Sequence, residues 1–177
     1  MGRALCRVLG PFGPGSDRAS ERTLLASAHR GGEVVTYLID ARTGLEHLTR
    51  EECLALLAAD QIGRLAVVDG TTPLIFPVNY VLDDEAIVFR TDPGTKLDKG
   101  PRHRASFEID GFDRQRRTGW SVLATGRLEE VTQFDSRTFT RVRSLGVEPW
   151  AGEKAHWMRL LPDRIGGRRV TGTSPSP

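Results

Sequence analysis

The chain has 177 residues, enough for one domain with a substantial core. Its 25 Lys and Arg stand against 23 Asp and Glu, a formal net charge of +2, which gives no case for a nucleic-acid partner or an anionic membrane surface. The two cysteines, Cys6 and Cys53, make neither a disulfide framework nor a zinc signature, and no apolar run approaches the roughly 20 residues of a membrane helix.

Residues 1–33 are rich in Gly, Arg and Ser and show no sustained period. They read as a disordered or loosely attached arm. Breaks at Pro11, Gly13 and Pro14 interrupt the apolar part, so the start does not read as a signal peptide, and a cytoplasmic protein is expected. The organised pattern opens at "VTYLID", Val35 to Asp40, and a single domain is expected over 34–170. The last residues, 171–177, have the composition of a flexible tail.

"LTREECLALLAAD" predicts a helix. Thr49 stands three residues before Glu52, the spacing of a capping box, and Leu48 with Cys53 fits a hydrophobic staple. The helix should stop near Asp60. Strand patterns then follow one another. "GRLAVV" ends at the turn pair Asp69-Gly70. "PLIFPVNYVL" holds Pro77, which cannot donate to a ladder, so this strand should be an edge or be bulged at Pro77. Asp83-Asp84 forms the next turn and "AIVFRT" the third strand. "ASFEID" alternates Phe107 and Ile109 against Ser106 and Glu108. "GWSVLATGRLEEV" is a long strand with an interruption expected at Gly126. "FDSRTFTRVRSL" has helical spacing through Phe134, Phe139 and Val142, and "HWMRLLPDRIGG" returns as a final strand. Consecutive strands on short turns, with few helices, predict a mainly β, antiparallel barrel.

Three stretches stand out chemically. "FRTDPGTK", Phe89 to Lys96, puts Arg90, Thr91, Thr95 and Lys96 around one Pro-Gly turn. Such a set suits a phosphate, with a planar fork, a point charge and two hydroxyls; a solvated hairpin end is the alternative. It is not a P-loop, because G-x-x-x-x-G-K is absent. In "FPVNY", Phe76 to Tyr80, the proline would leave neighbouring backbone groups free for a planar ligand; the alternative is an ordinary edge strand. In "TGWSV", Trp120 would cover an aromatic ligand or an interface, and Ser121 would bond a phosphate or sugar; a core tryptophan beside a surface serine is the alternative.

His29, His47, His103 and His156 make no metal motif, and only His156, beside Trp157, invites an axial ligand role. No nucleophile elbow and no paired carboxylates occur, so no catalytic residue is assigned and no metal is expected. If the chain is an enzyme, a cofactor carries the chemistry.

Taken together and in order, "IGRLAVV…PLIFPVNYV", "IVFRTDPGTKL" and "ASFEID…TGWSVLATGRLEEV" resemble the pyridoxamine 5′-phosphate oxidase-like family of flavin-binding split barrels. The resemblance covers about Leu48 to Val170 and is nearest to short actinobacterial members, which include flavin- and deazaflavin-dependent reductases. It implies a six-stranded antiparallel split β-barrel with a few peripheral helices, and a homodimer with two flavin sites at its interface. By motif match, Arg90, Thr91, Thr95 and Lys96 would hold the flavin phosphate. The backbone from Phe76 through Pro77 and Val78 to Asn79 would line the isoalloxazine ring. Trp120 and Ser121 would complete the site from the partner subunit. FMN is the implied cofactor, with FAD, the deazaflavin coenzyme and haem as alternatives. The implied activity is redox transfer between a nicotinamide or other donor and a small oxidised substrate; the alternative is a non-catalytic flavin or haem carrier or sensor. Pyridoxamine phosphate oxidases proper carry an "EFW"-type stretch near the C-terminus. This chain reads "LPDRIGGRRV" there, which argues against vitamin B6 oxidation.

Overall fold

The computed structural model describes the backbone of residues 7–8, 23–30 and 33–40, and describes residues 45–92, 103–150, 152 and 154–171. Thr95, Lys96 and most of the tail lie outside these residues. Chain order begins with four strands: β1 (Arg7–Val8), β2 (Thr23–Arg30), β3 (Glu33–Asp40) and β4 (Glu46–Leu48), each antiparallel to the next. β2 falls inside the stretch read as a loose arm, and its backbone is instead a strand in register with β3 from Thr23↔Asp40 to Arg30↔Glu33. The sequence between these strands is Gly31-Gly32, a hairpin signal that the arm's overall composition masked.

Helix α1 (Arg50–Ala59) starts where its capping box lies. The Thr49 hydroxyl accepts from the Glu52 amide at 3.2 Å, and the Glu52 carboxylate accepts from the Thr49 amide at 2.8 Å. Two orphan donors are thereby satisfied, a motif that contributes about 1 kcal/mol. α1 buries Cys53 and Leu57, and burial pushes the Cys53 thiol above its usual pKa.

Three strands form a meander: β5 (Ile62–Asp69), β6 (Thr72–Asp83) and β7 (Ala86–Thr91). Its turns use the residues that tolerate positive φ, Gly70 at 62° and Asp84 at 55°. β8 (His103–Asp113) and β9 (Thr118–Val131) make a long hairpin whose turn is held by Asp113, which accepts from the Gln115 and Arg116 amides. Helix α2 (Ser136–Ser144) and the final strand β10 (His156–Thr171) complete the chain.

The described strands form one ten-stranded sheet in the order β1-β2-β3-β4-β10-β7-β6-β5-β8-β9, and β9 also pairs with β10. The last six strands of the chain, β5 to β10, therefore close into a ring, the expected split barrel. β10 makes closure possible because it runs for 16 residues. Its first part pairs with β7, its last part with β4, and nearly all of it with β9. The ring is thinly laced where β5 meets β8, over Arg64↔Glu108 to Ala66↔Ser106.

Inward residues alternate along each strand. Leu65, Tyr80, Ile87, Phe89, Phe107 and Leu160 fill the barrel. Tyr80 meets Phe107 edge-on at 4.8 Å, and its hydroxyl donates to the Leu57 carbonyl at 2.7 Å, pinning α1 over the barrel. Burial raises the Tyr80 phenol above its ordinary pKa. A smaller outer cluster packs Val142 of α2 on Val88, Val131, Val147 and Trp157.

Two sequence expectations, at Gly126 and Phe134, are corrected, and of the two offered for Pro77 the edge is the one observed. β9 runs unbroken through Gly126, because the irregularity lies in β10, where the register shifts between Pro162 and Arg164. Gly126 is needed there: a Cβ would stand 2.0 Å from the Leu161 carbonyl oxygen. Pro77 causes no bulge and pairs in regular register with Arg64. Pairing of β6 with β7 begins only at Tyr80, so the Pro77 stretch is an edge on that side. Phe134 precedes α2 and is 91% exposed, so only Phe139 and Val142 of the predicted spacing face the cluster.

Candidate functional site

The stretch of β6 that β7 leaves unpaired, the end of β7 and the segment leading into β10 enclose a cleft of about 540 Å³. Ile62, Phe76, Pro77 and Val78 give it an apolar wall. Arg90, Thr91 and Asp92 come from the end of β7, and Pro149, Trp150 and Lys154 from the opposite side. Asn79 ties the walls together: its side-chain oxygen accepts from the Trp150 amide at 3.0 Å. The Trp150 ring stays 75% exposed, an aromatic face held at the rim by its backbone. Lys154 is ion-paired with Asp92.

Arg90 is the centre of the arrangement. It stands opposite Trp157 in the β7–β10 ladder, with its guanidinium carbon 5.1 Å from the indole centroid. Nε is buried beside it and has no hydrogen-bond partner among the described residues. A buried donor without an acceptor costs about 1–3 kcal/mol, and a ligand acceptor would remove that cost.

Phe76, Pro77, Val78, Asn79, Arg90 and Thr91, chosen from sequence, thus line one cleft. Thr95 and Lys96 lie outside the described residues. Trp120 and Ser121 are not brought to the cleft of their own chain. Trp120 lies opposite Gly111, where a Cβ would come within 2.8 Å of the indole. Ser121 lines a different groove, of about 630 Å³, with Thr125, Arg164 and Arg168. His156 is engaged by Glu130, Nδ1 to Oε1 at 2.6 Å. Among the described residues, no cluster of three His, Cys, Asp or Glu is placed to hold a metal, and no helix is long and apolar enough to cross a membrane.

Residues 49–169 match the family model of pyridoxamine 5′-phosphate oxidase. The chain belongs to that family. An uncharacterised Mycobacterium tuberculosis protein is 31% identical over 137 residues, 73% of this chain and 88% of that protein. The solved FAD-binding protein of Mycobacterium smegmatis is 33% identical with a TM-score of 0.60, covering 70% of this chain and 98% of its own. A FAD-binding protein of Mesorhizobium loti is 25% identical with a TM-score of 0.59, covering 71% of this chain and 98% of its own.

Sequence reasoning missed the far wall of this pyridoxamine 5′-phosphate oxidase relative, Pro149, Trp150 and Lys154, and the Trp157 ring under Arg90. The signal available was "EPWAGEKAHW", two tryptophans and a lysine in a Pro- and Gly-containing linker. Aromatic side chains in a loop suggest binding, but only the return of β10 beside β7 shows what they face.

Proposed function

We propose that this protein is a flavin-dependent oxidoreductase. Its cleft binds a flavin nucleotide and serves redox transfer between a nicotinamide or other donor and a small oxidised substrate. The observation that carries this reading is Arg90, a cation whose buried Nε lacks an acceptor among the described residues, at the end of an apolar, edge-lined cleft. A planar ring with an anionic tail complements such a cleft. The relatives from M. smegmatis and Mesorhizobium loti favour FAD over FMN.

The residues present fit the group. Arg90 would meet phosphate oxygens with its fork, Thr91 would add a hydroxyl, and Phe76 to Asn79 would lie along the ring. Asn79 holds Trp150 at the rim, where the ring would exclude water. The flavin supplies the redox chemistry; the protein supplies binding, orientation and a shielded site. The C-terminal "LPDRIGGRRV", in place of an "EFW"-type stretch, argues against vitamin B6 oxidation.

A homodimer belongs to the same proposal. Val68 and Ile75 are each 66% exposed on the outer face of the β5–β6 pair, and Leu123 is exposed on β9. Apolar residues on an open sheet face are a liability unless covered. In such a dimer Trp120 and Ser121 would complete the neighbouring cleft, as the family resemblance implies.

The test is a titration of the purified protein with FAD, FMN and riboflavin, followed by absorbance and fluorescence. A saturable flavin spectrum and turnover with NADPH and an electron acceptor are expected. Failure of all three flavins to bind removes the reading, and binding without turnover against a broad acceptor panel reduces it to a carrier.

A further inference from the structure

A second cavity of about 470 Å³ opens on the other side of Arg90, beneath α2 and beside the start of β10. Two guanidiniums line it, Arg90 and Arg143, and each lies on an aromatic ring. Arg90 is 5.1 Å from the Trp157 centroid, and Arg143 is 5.6 Å from that of Phe139. Neither has a carboxylate partner among the described residues. The contrast within α2 is direct: Arg141, two residues before Arg143, is bonded to Asp83 and Asp84. Glu148 supplies the carboxylate on the cavity wall.

This donor set matches one ligand chemistry. Guanidinium forks suit phosphate oxygens, a carboxylate accepts from sugar hydroxyls, and a guanidinium plane already backed by an aromatic ring can stack a heterocyclic base on its other face. Glu148 would repel a bare phosphate, so a ligand that carries a sugar beside its phosphate fits better than inorganic phosphate. Arg90 lines both cavities, so a single ligand can pass from one to the other across it.

We propose that this second cavity is a nucleoside-phosphate site, with Arg143 as its specificity-determining residue. Two sources share that chemistry: the adenylate half of FAD, and a separate nucleotide. Only the first rests on the flavin reading above.

The experiment measures FAD, FMN and AMP affinities for the full chain and for Arg143→Ala, with Arg143→Lys as the charge-retaining variant. Arg143 is exposed on α2, so melting temperature and circular dichroism should be unchanged. If FAD supplies the ligand, wild type binds FAD more tightly than FMN. Arg143→Ala then loses about ten- to a hundredfold for FAD and less than about twofold for FMN. Arg143→Lys restores part of the loss, and AMP competes with FAD. If a separate nucleotide supplies it, FAD and FMN bind alike, while AMP binds the FMN-loaded protein and is lost in Arg143→Ala. AMP binding that depends on Arg143 in a protein that takes no flavin upholds the cavity while the flavin reading falls. Affinities for all three ligands that are indifferent to Arg143 overturn the inference.

Discussion

Arg90→Met separates the two roles of this side chain. Without ligand, the substitution removes a cation stacked on Trp157, worth about 0.5–2 kcal/mol, and also removes a buried donor without an acceptor, a cost of about 1–3 kcal/mol. The two terms oppose each other and methionine keeps much of the apolar volume, so the free protein should change by less than about 1 kcal/mol. With ligand the balance differs. At a flavin nucleotide concentration 100 times Kd, binding stabilises the wild type by about 2.7 kcal/mol. For a chain of this size that is a rise in Tm of roughly 5–11 °C. Losing one charge-assisted bond weakens binding about tenfold at least. At the same concentration the variant then gains only about 1.4 kcal/mol, so its Tm rise is about halved. Riboflavin, which has no phosphate, should give the same rise in both proteins. Differential scanning fluorimetry with FAD, FMN and riboflavin reads all of these. A fall in Tm above roughly 10 °C in the free variant would show that Arg90 is structural. An undiminished shift with FAD and FMN would show that it holds no phosphate.

Three further outcomes follow from the geometry. Glu46 is 5% exposed and bonded to Arg169 at 2.7 Å, which also reaches Glu52 at 3.2 Å; Arg169→Ala leaves that carboxylate buried and alone. The loss should be about 2–4 kcal/mol in urea denaturation, at the lower end for a buried pair because Arg169 is itself partly exposed, and Glu46→Gln in the same chain should recover part of it. Tyr80 has a raised phenol pKa from burial, so its contribution to stability is complete below about pH 10 and declines as pH rises above it. In a Tyr37→Phe background the tyrosinate absorbance should therefore appear together with unfolding; a reversible phenol titration at about pH 10 in folded protein would contradict this burial. Deletion of residues 1–33 removes β1 and β2, which lie beyond the closed ring, so Tm and flavin affinity should move little; a drop of more than about 10 °C would place them in the cooperative unit.

Local chemistry in the sequence determined much of the frame. A hydroxyl and a carboxylate three residues apart specify the start of α1, because both bonds close within one turn. Alternation in "ASFEID" specifies a strand and its buried face, the continuous apolar run of "AIVFRT" a strand buried on both faces, and Gly70 and Asp84 stand where the chain must turn at positive φ. Pro77 announced an edge, because a residue without an amide hydrogen cannot serve two ladders. Which strand would lie beside which was not written locally. Alternation fixes a face, not a neighbour, so the pairing of Arg90 with Trp157 arose only from the path of β10. The same path brings Lys154 to Asp92, Trp150 to Asn79 and Arg169 to Glu46. Gly126 misled for a related reason: its need comes from a carbonyl on β10 that no neighbour in sequence reveals. The sequence determined the chemistry of each wall, and tertiary structure decided which walls face one another, because contacts between strands distant in the chain depend on register and closure.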